Sequence, residues 1–255
     1  MDASEIRHSL DLLVRLIDTT TGLTVEERNV RFWKDDRPVR PIPRGSGNYV
    51  FLNCGRADGE LSVRVYGFEP CRMTIRYEEL DSRMPTKEAF LIPSESASGG
   101  QPVITFSGKL PGITEIQAVS PGHAGCCISG FDERKRIMKL FKTHRLGMDD
   151  IFYGLVHPQQ QTYEPFEVVK ELQDGSVKIS RPLAEAFTVN APVARIVFGS
   201  VSEDGSYLLR VRDDAENLVY LVRYVAEGKA AFRTVDFHRA GERKLEQEES
   251  VWDNL

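Results

Sequence analysis

The residues with the clearest potential for covalent chemistry are His123 and Cys126, which lie three positions apart. A thiolate beside an imidazole base can act as a nucleophile, so a hydrolase that uses this pair is one hypothesis for the chain. Such a site also needs a third group that orients the base, and the spacing of two residues does not supply it. A glycine-rich connection over 122–129 that carries buried thiols accounts for the same residues, and we favour that interpretation.

Metal binding has weaker support from the sequence. Four residues within a stretch of 14 have side chains that can ligate zinc or manganese: His144, Asp149, Asp150 and His157. No known ligand spacing connects them. The pairs Asp35-Asp36 and Asp213-Asp214 lack the alternating oxygens of a calcium loop, and turn chemistry accounts for both. Glycine pairs in the chain lack the lysine and hydroxyl residue of a phosphate-binding loop. We therefore predict no metal, no cofactor and no catalytic residue.

The segment from Glu133 to Arg145 is the most basic in the chain. Apolar residues at three- and four-residue spacing predict a helix over Asp132–Arg145, with Asp132 as its cap and Gly147 closing its carboxyl end. A solvated helix face is the usual explanation of such a run. If the segment binds a partner, we expect an acidic protein surface. Its candidate interaction residues are Arg134, Lys135, Arg136, Lys139, Lys142 and Arg145.

Trp252 is the other candidate interaction residue. It stands in a charged and polar stretch near residue 255, where exposing a tryptophan is costly. The side chain is large enough to anchor a docking segment on a neighbour. Packing against its own domain is an equal alternative.

Composition limits the classes of partner. The formal net charge is -5 and the acids and bases are interspersed, so no cationic field favours DNA or RNA. No run of 18 apolar residues occurs, and the first residues lack a secretory signal. We therefore expect no nucleic-acid or membrane partner and synthesis in the cytoplasm. The four cysteines lack metal-ligand spacing and are predicted to be free thiols.

Short strands follow one another in the first third of the chain. Alternation is clearest at Leu61, Val63 and Val65, which share one face of a predicted strand. The strands are predicted over Leu12–Asp18, Val30–Lys34, Gly47–Leu52, Glu60–Phe68, Arg72–Tyr77 and Ala89–Pro93. Glycines, prolines and aspartates mark the turns between them. This series predicts a Greek-key β-sandwich domain over 1–93.

The strand order, with Gly47-Asn48-Tyr49 and Gly67-Phe68, resembles the prealbumin-like β-sandwich of carboxypeptidase regulatory domains and Cna-B-type repeats over residues 12–93. The resemblance implies a module that binds or scaffolds. Leu12–Asp18 lacks the lysine that forms an isopeptide bond in adhesin Cna-B domains. Residues 251–255 lack the Tyr-Arg-Gly-Ser signature of transthyretin-like hydrolases. The resemblance therefore implies neither reactive version of the fold.

A Ser/Gly-rich linker is predicted over 94–102, before a second β-rich domain over 103–238. That domain is expected to be a sheet or a barrel, so the whole chain is mainly β with at most one or two short helices. Its firmest part is a meander of four consecutive strands, predicted over Ala194–Val201, Tyr207–Arg212, Leu218–Val225 and Ala230–Phe237. Residues 239–255 are predicted to form a polar tail with a short helix or no regular structure.

Two β-rich domains without a catalytic or cofactor motif predict a structural protein that works by protein–protein interaction. By analogy alone, we expect a non-enzymatic assembly subunit of a phage-tail-like or baseplate-type particle. Its partners would be other subunits, with self-association and release as part of a particle left open. The alternative is a carbohydrate- or receptor-binding module that uses exposed aromatic side chains such as Tyr49, Tyr66 or Tyr153.

Overall fold

The fold is known from a computed structural model, which describes residues 9–26, 29–94, 103–142, 151–184, 186–212, 218–237 and 244–247. Strands make up 60% of the structure and helices 3%, which confirms the prediction of a mainly β protein. Within the described part of the chain, no helix has the length and apolar character needed to cross a membrane. The chain divides into two compact units: unit 1 spans 1–19 and 23–100, and unit 2 spans 20–22 and 101–255.

Unit 1 contains two four-stranded sheets. Its strands are β1 (Leu10–Asp18), β2 (Val30–Lys34), β3 (Arg37–Val39), β4 (Ile42–Pro43), β5 (Asn48–Leu52), β6 (Gly59–Val65), β7 (Cys71–Ile75) and β8 (Thr86–Leu91). One sheet has the order β4-β5-β1-β8 and the other β3-β2-β6-β7. All neighbouring strands are antiparallel except β1 and β8, which run parallel.

The two sheets of unit 1 share one core. Leu61, Val63 and Val65 of β6 are buried, as their alternation predicts, and Phe32 packs its ring 5.0 Å from Tyr49. The same ring lies edge-on to Phe51 at 5.4 Å. Aromatic and β-branched side chains on alternate positions therefore close the sandwich.

Unit 2 has a seven-stranded sheet and a closed six-stranded barrel. Its strands are β9 (Val103–Lys109), β10 (Ile113–Val119), β11 (Cys126–Asp132), β12 (Ile137–Lys142), β13 (Ile151–His157), β14 (Thr162–Glu171), β15 (Val177–Ile179), β16 (Pro192–Arg195), β17 (Val197–Val201), β18 (Ser206–Arg212), β19 (Val219–Ala226), β20 (Lys229–Asp236) and β21 (Lys244–Gln247). The sheet has the order β20-β19-β10-β17-β18-β9-β21, and the barrel has the order β11-β12-β15-β14-β13-β16.

The seven-stranded sheet curls around its own core. Phe237, which follows β20, lies edge-on to Phe106 of β9 with ring centroids 5.9 Å apart, although four strands separate β20 from β9 in the sheet. Because the two ends of the strand order meet through these rings, β21 can follow β20 in the chain and still pair at the far edge. There β21 pairs in parallel with β9.

The predicted helix over Asp132–Arg145 is wrong. β11 runs to Asp132, a turn follows, and β12 pairs antiparallel with β11. Arg136 has a positive φ of 55°, which a helix does not permit. Met138 is buried and Phe141 is exposed, so the apolar residues alternate between the two faces of a strand instead of sharing one helix face. Strand pairing with distant residues therefore overrides a pattern that is ambiguous over this short stretch.

Other expectations for unit 2 need correction. The connection predicted over 122–129 ends early, because β11 begins at Cys126 and pairs with β12 and β16. The predicted first strand of the meander divides at Ile196 into β16 of the barrel and β17 of the sheet. The strands are also not consecutive neighbours, since β10 lies between β17 and β19. Within the predicted polar tail, residues 244–247 form β21.

Candidate functional site

One side of the barrel is covered by the seven-stranded sheet. Gly154 of β13 lies so close to β10 that a Cβ there would be 2.8 Å from Val119 Cγ1. Tyr163 of β14 packs edge-on against Phe232 of β20, with ring centroids 5.4 Å apart. Phe152 of β13 and Phe198 of β17 pack in the same way at 5.5 Å. The side of the barrel formed by β13 and the start of β14 is therefore an internal interface of unit 2.

A different side of the barrel, formed by β11, β12 and β15, carries exposed side chains. We call it the outer barrel face and define it by five residues that point away from the barrel interior: Cys127, Ile137, Lys139, Phe141 and Lys178. The residues between them point inward: Ile128, Met138 and Val177 are buried. Period-two alternation therefore separates a packed barrel interior from this face.

An apolar row crosses the outer barrel face. Phe141 of β12 lies opposite Cys127 of β11, and Cys127 lies opposite Pro192 of β16. Cys127 and Pro192 are half-buried, whereas Phe141 is 68% exposed. An exposed phenylalanine held in register beside two other apolar groups is a typical anchor for a protein partner, because its burial removes a large apolar area from water.

Cations lie on the same side of the barrel as the apolar row. The stem of Lys139 passes over Gly130 of β11, where a Cβ would be 3.9 Å from Lys139 Cδ. On the next strand Lys178 lies opposite Ile137, and on its other side Lys178 lies directly opposite Lys170 of β14. Like charges that face each other across strands reduce stability. This arrangement therefore favours an anionic partner that would relieve the repulsion.

Some of these cations have acidic neighbours. Lys135 Nζ lies 3.8 Å from Asp132 Oδ2, in an exposed pair that contributes little to stability. Hydrogen bonds from the side chain and backbone of Ser176 lower the pKa of Asp174, and the nearby charge of Lys139 lowers it further. Arg136 donates from its guanidinium to the carbonyl of Ser180.

The sequence-predicted interaction residues divide into three groups. Arg134, Lys135 and Arg136 lie exposed in the turn between β11 and β12, and Lys139 lies exposed on β12. For Lys142, the structure places the backbone at the end of β12, opposite Cys126. Arg145 and Trp252 lie outside the described residues. Sequence reasoning missed Cys127, Phe141, Lys170 and Lys178 as residues of an exposed face, because their strand register depends on pairing between distant segments.

His123 and Cys126 have different surroundings. Cys126 faces the barrel interior, is 2% exposed, and its thiol lies 3.9 Å from the carbonyl oxygen of Val193. His123 is exposed at the end of the 3-10 turn Pro121–His123, with its ring 6.3 Å from that of Tyr220. The local geometry thus presents a buried thiol within a barrel wall and a surface imidazole.

A small pocket of about 210 Å³ lies beside the β13–β14 loop. Its polar lining includes the buried His157 together with side chains that carry amides and a hydroxyl, namely Gln159, Gln160, Thr188 and Asn190. The amide and hydroxyl groups are poor partners for a zinc ion, which prefers thiolate, imidazole and carboxylate groups. No group of three or more metal-ligating side chains occurs among the described residues. His144, Asp149, Asp150, Asp213 and Asp214 lie outside them.

Asp35 and Asp36 occupy the tight turn between β2 and β3, both with positive φ. Asp35 Oδ1 accepts a hydrogen bond of 2.8 Å from the backbone N–H of Glu60. This is the turn chemistry that the sequence predicts for the pair.

Two of the three tyrosines proposed for a glycan-binding face are buried. Tyr49 belongs to the core of unit 1, and Tyr153 lies inside the barrel. Tyr66 is 82% exposed. The suggestion that Tyr49 and Tyr153 are exposed is therefore wrong, because alternation places each on the inner face of its strand.

No protein-family model matches this chain, and no curated protein matches it.

Proposed function

We propose that this protein is a non-enzymatic assembly subunit that binds other protein subunits through the outer barrel face. The observation that carries the proposal is the exposure of Phe141 in the apolar row Phe141–Cys127–Pro192 on the open side of a closed barrel. A closed barrel has no free edges, so it presents this row on a rigid support. Rigid support reduces the conformational entropy lost on binding.

The setting we propose is a multiprotein particle of the phage-tail-like or baseplate type. Two β-rich units in one chain suit a connecting role, because each unit has its own core and can present its own surface. The prealbumin-like resemblance of unit 1 agrees with a scaffolding role, and this part of the proposal rests on analogy.

Co-expression with the products of the neighbouring genes tests the proposal. The wild-type chain should enter a stable complex of fixed stoichiometry, measured by multi-angle light scattering. Phe141→Ser should abolish its incorporation, because the anchor is removed from the face. The matched control is Tyr66→Ser, which removes an exposed aromatic side chain from unit 1. Equal incorporation of Phe141→Ser and wild type would refute the proposed face, and loss of incorporation in Tyr66→Ser alone would move the contact to unit 1.

The same pair of variants addresses the carbohydrate-binding alternative. Tyr66 is the one of its three proposed aromatic residues that is exposed, so a glycan-array signal that disappears in Tyr66→Ser and persists in Phe141→Ser would favour the alternative. If the protein is an assembly subunit, neither the wild type nor either variant should give a glycan-array signal.

A further inference from the structure

Residues 248–255 are complementary to the outer barrel face. Their acidic residues are Glu248, Glu249 and Asp253, and the segment contains no lysine, arginine or histidine. Trp252 lies among these acids with Val251 before it. The face offers the opposite chemistry, with exposed Phe141, Lys139 two positions before it on β12, and Lys178 on the neighbouring strand opposite Ile137. An acidic segment with a central tryptophan would cover the apolar row and neutralise the facing lysines.

We propose that residues 248–255 of one copy bind the outer barrel face of a second copy. The inference rests on the proposed function, since it names the partner of the same face. Trp252 would pack against Phe141, while Glu248 and Glu249 would pair with Lys139 and Lys178. Another copy of the chain would supply the acidic partner that the sequence predicts for the basic run.

The position of β21 explains why the partner is a second copy. β21 pairs in parallel with β9 and places Gln247 beside Gly108, near the end of β9. β9 and β10 run in opposite directions, because three antiparallel pairs connect them in the sheet order. Gln247 therefore lies at the end of the sheet where β10 begins. The barrel contacts Val119 at the other end of β10.

The distances make contact within one copy unfavourable. By strand register Gln247 is level with Val201 of β17, and Phe198, which contacts the barrel, lies three residues farther along that strand, a distance of about 10 Å. Three strand spacings, about 14 Å along the sheet, separate β21 from β17, and the barrel adds about 10 Å between its covered side and the outer barrel face. Trp252 follows Gln247 by five positions, so a fully extended chain carries it at most about 18 Å from Gln247. This route is longer than the extended segment, which disfavours contact of Trp252 with the outer barrel face of its own copy, whereas a neighbouring copy has no such limit.

The resulting contact is head-to-tail. Each copy donates residues 248–255 and receives the same segment from another copy, so the two surfaces in contact differ. Contacts of this kind produce closed rings or open filaments. Both outcomes suit a subunit of a repeating particle.

Sedimentation velocity on the full-length chain tests the inference with two variants. Phe141→Ser damages the receiving face, and Trp252→Ser damages the donated segment. Wild type should associate with rising concentration and dissociate with rising salt, because screening weakens the charge pairs. Each variant alone should show an apparent Kd raised by about tenfold or more. An equimolar mixture should form one-to-one dimers and nothing larger, since one intact face and one intact segment remain.

Charge reversal provides the second measurement. Lys139→Glu with Lys178→Glu should prevent association, and adding Glu248→Lys with Glu249→Lys to the same chain should restore it. Thermal unfolding of each variant should match wild type, because the two lysines are exposed and tolerate substitution.

Any one of four results would overturn the inference. The wild type could be monomeric, Trp252→Ser could associate as strongly as wild type, the mixture of variants could stay monomeric, or charge reversal could fail to restore association. None of these results refutes the proposed function. If the wild type remains monomeric but still enters a complex with co-expressed neighbours through Phe141, the face binds a different protein. Indifference of that complex to Phe141→Ser is the separate result that refutes the proposed function.

Discussion

At the residue scale, Asp11 is the buried charge that holds a loop of unit 1 in place. Its carboxylate accepts hydrogen bonds from Ser9 Oγ at 2.6 Å and from the backbone N–H groups of Cys54 and Gly55 at 2.7 and 3.0 Å. Burial alone would raise the pKa of Asp11, but these hydrogen bonds and the charge of Arg56 lower it below its usual value. The ionised carboxylate therefore stabilises the folded state.

Asp11→Asn is expected to lower the unfolding free energy of unit 1 by about 1–2 kcal/mol at neutral pH. Because the folded pKa is lowered, the contribution is complete above the unfolded value near 3.9 and is lost as the pH falls through the folded value. The difference between variant and wild type should therefore narrow below about pH 4. Urea denaturation followed by Trp33 fluorescence, in a Trp252→Phe background, measures it. Asp36→Asn is the matched control, since asparagine tolerates the positive φ of this exposed turn.

Tyr163 provides a contrasting case in unit 2. Its hydroxyl is buried without a hydrogen-bond partner among the described residues, and burial raises its pKa well above the usual value. Tyr163→Phe should leave the unfolding free energy unchanged or raise it by up to about 1 kcal/mol. Tyr207→Phe is the control, because the side chains of Tyr207 and Tyr224 are hydrogen-bonded to each other. Loss of that hydrogen bond should lower the unfolding free energy by about 1 kcal/mol. The rates of hydrogen exchange of the β14 and β18 amides measure the stability of both variants. A clear destabilisation by Tyr163→Phe would show that the Tyr163 hydroxyl has a hydrogen-bond partner.

At the element scale, Gly154 sets how closely β13 approaches β10. A Cβ at this position would be 2.7 Å from Tyr163 Cδ2 and 2.8 Å from Val119 Cγ1. Gly154→Ala should therefore lower the stability of unit 2 by about 1–3 kcal/mol. Gly130→Ala is the control, because its Cβ would meet Lys139 at an ordinary 3.9 Å. If chemical denaturation shows equal stability for both variants, the packing described for the covered side of the barrel is wrong.

The strands also show how far sequence reasoning extends. Leu61, Val63 and Val65 alternate within one short strand, so the sequence alone predicts both the strand and its buried face. Ile137, Leu140 and Phe141 satisfy a helical spacing equally well. The choice depends on pairing of β12 with β11 and with β15, whose residues 177–178 are about 40 positions away in the sequence. Local propensity carries no information about that pairing.

The dependence on pairing between distant segments also explains why the sequence does not predict the candidate site. The basic run is evident from composition, but the exposure of Phe141 is not, because the sequence pattern predicts that Phe141 lies on the apolar face of a helix. Once β12 is a strand, Phe141 joins Lys139 on the outer side and Met138 faces inward. Lys170 and Lys178 are identified as neighbours of each other only by the cross-strand register of β14 and β15. The interaction residues on neighbouring strands therefore could not be found by inspecting one segment.

At the scale of the whole molecule, unit 1 should fold without unit 2. Its buried hydrophobic cluster draws only on residues between Leu12 and Leu91. We expect a fragment of residues 1–94 to show a β-type circular dichroism spectrum and cooperative unfolding in urea. Val63→Asp in the same fragment should abolish both, because it places a charge in the core. If the fragment of residues 1–94 does not unfold cooperatively, this hydrophobic cluster is not sufficient to fold unit 1 without unit 2.

The outer barrel face is the proposed interface of the whole molecule, and Cys127 reports on that face in the unmodified protein. Its thiol lies next to Phe141 in the apolar row and is half-buried, whereas the thiol of Cys54 is exposed in unit 1 and serves as an internal control. The measurement is the rate of alkylation of each cysteine, followed by mass spectrometry, in the dissociated and assembled protein. Assembly should slow modification of Cys127 several-fold and leave that of Cys54 unchanged. Equal rates of Cys127 modification in both states would show that assembly does not bury the outer barrel face.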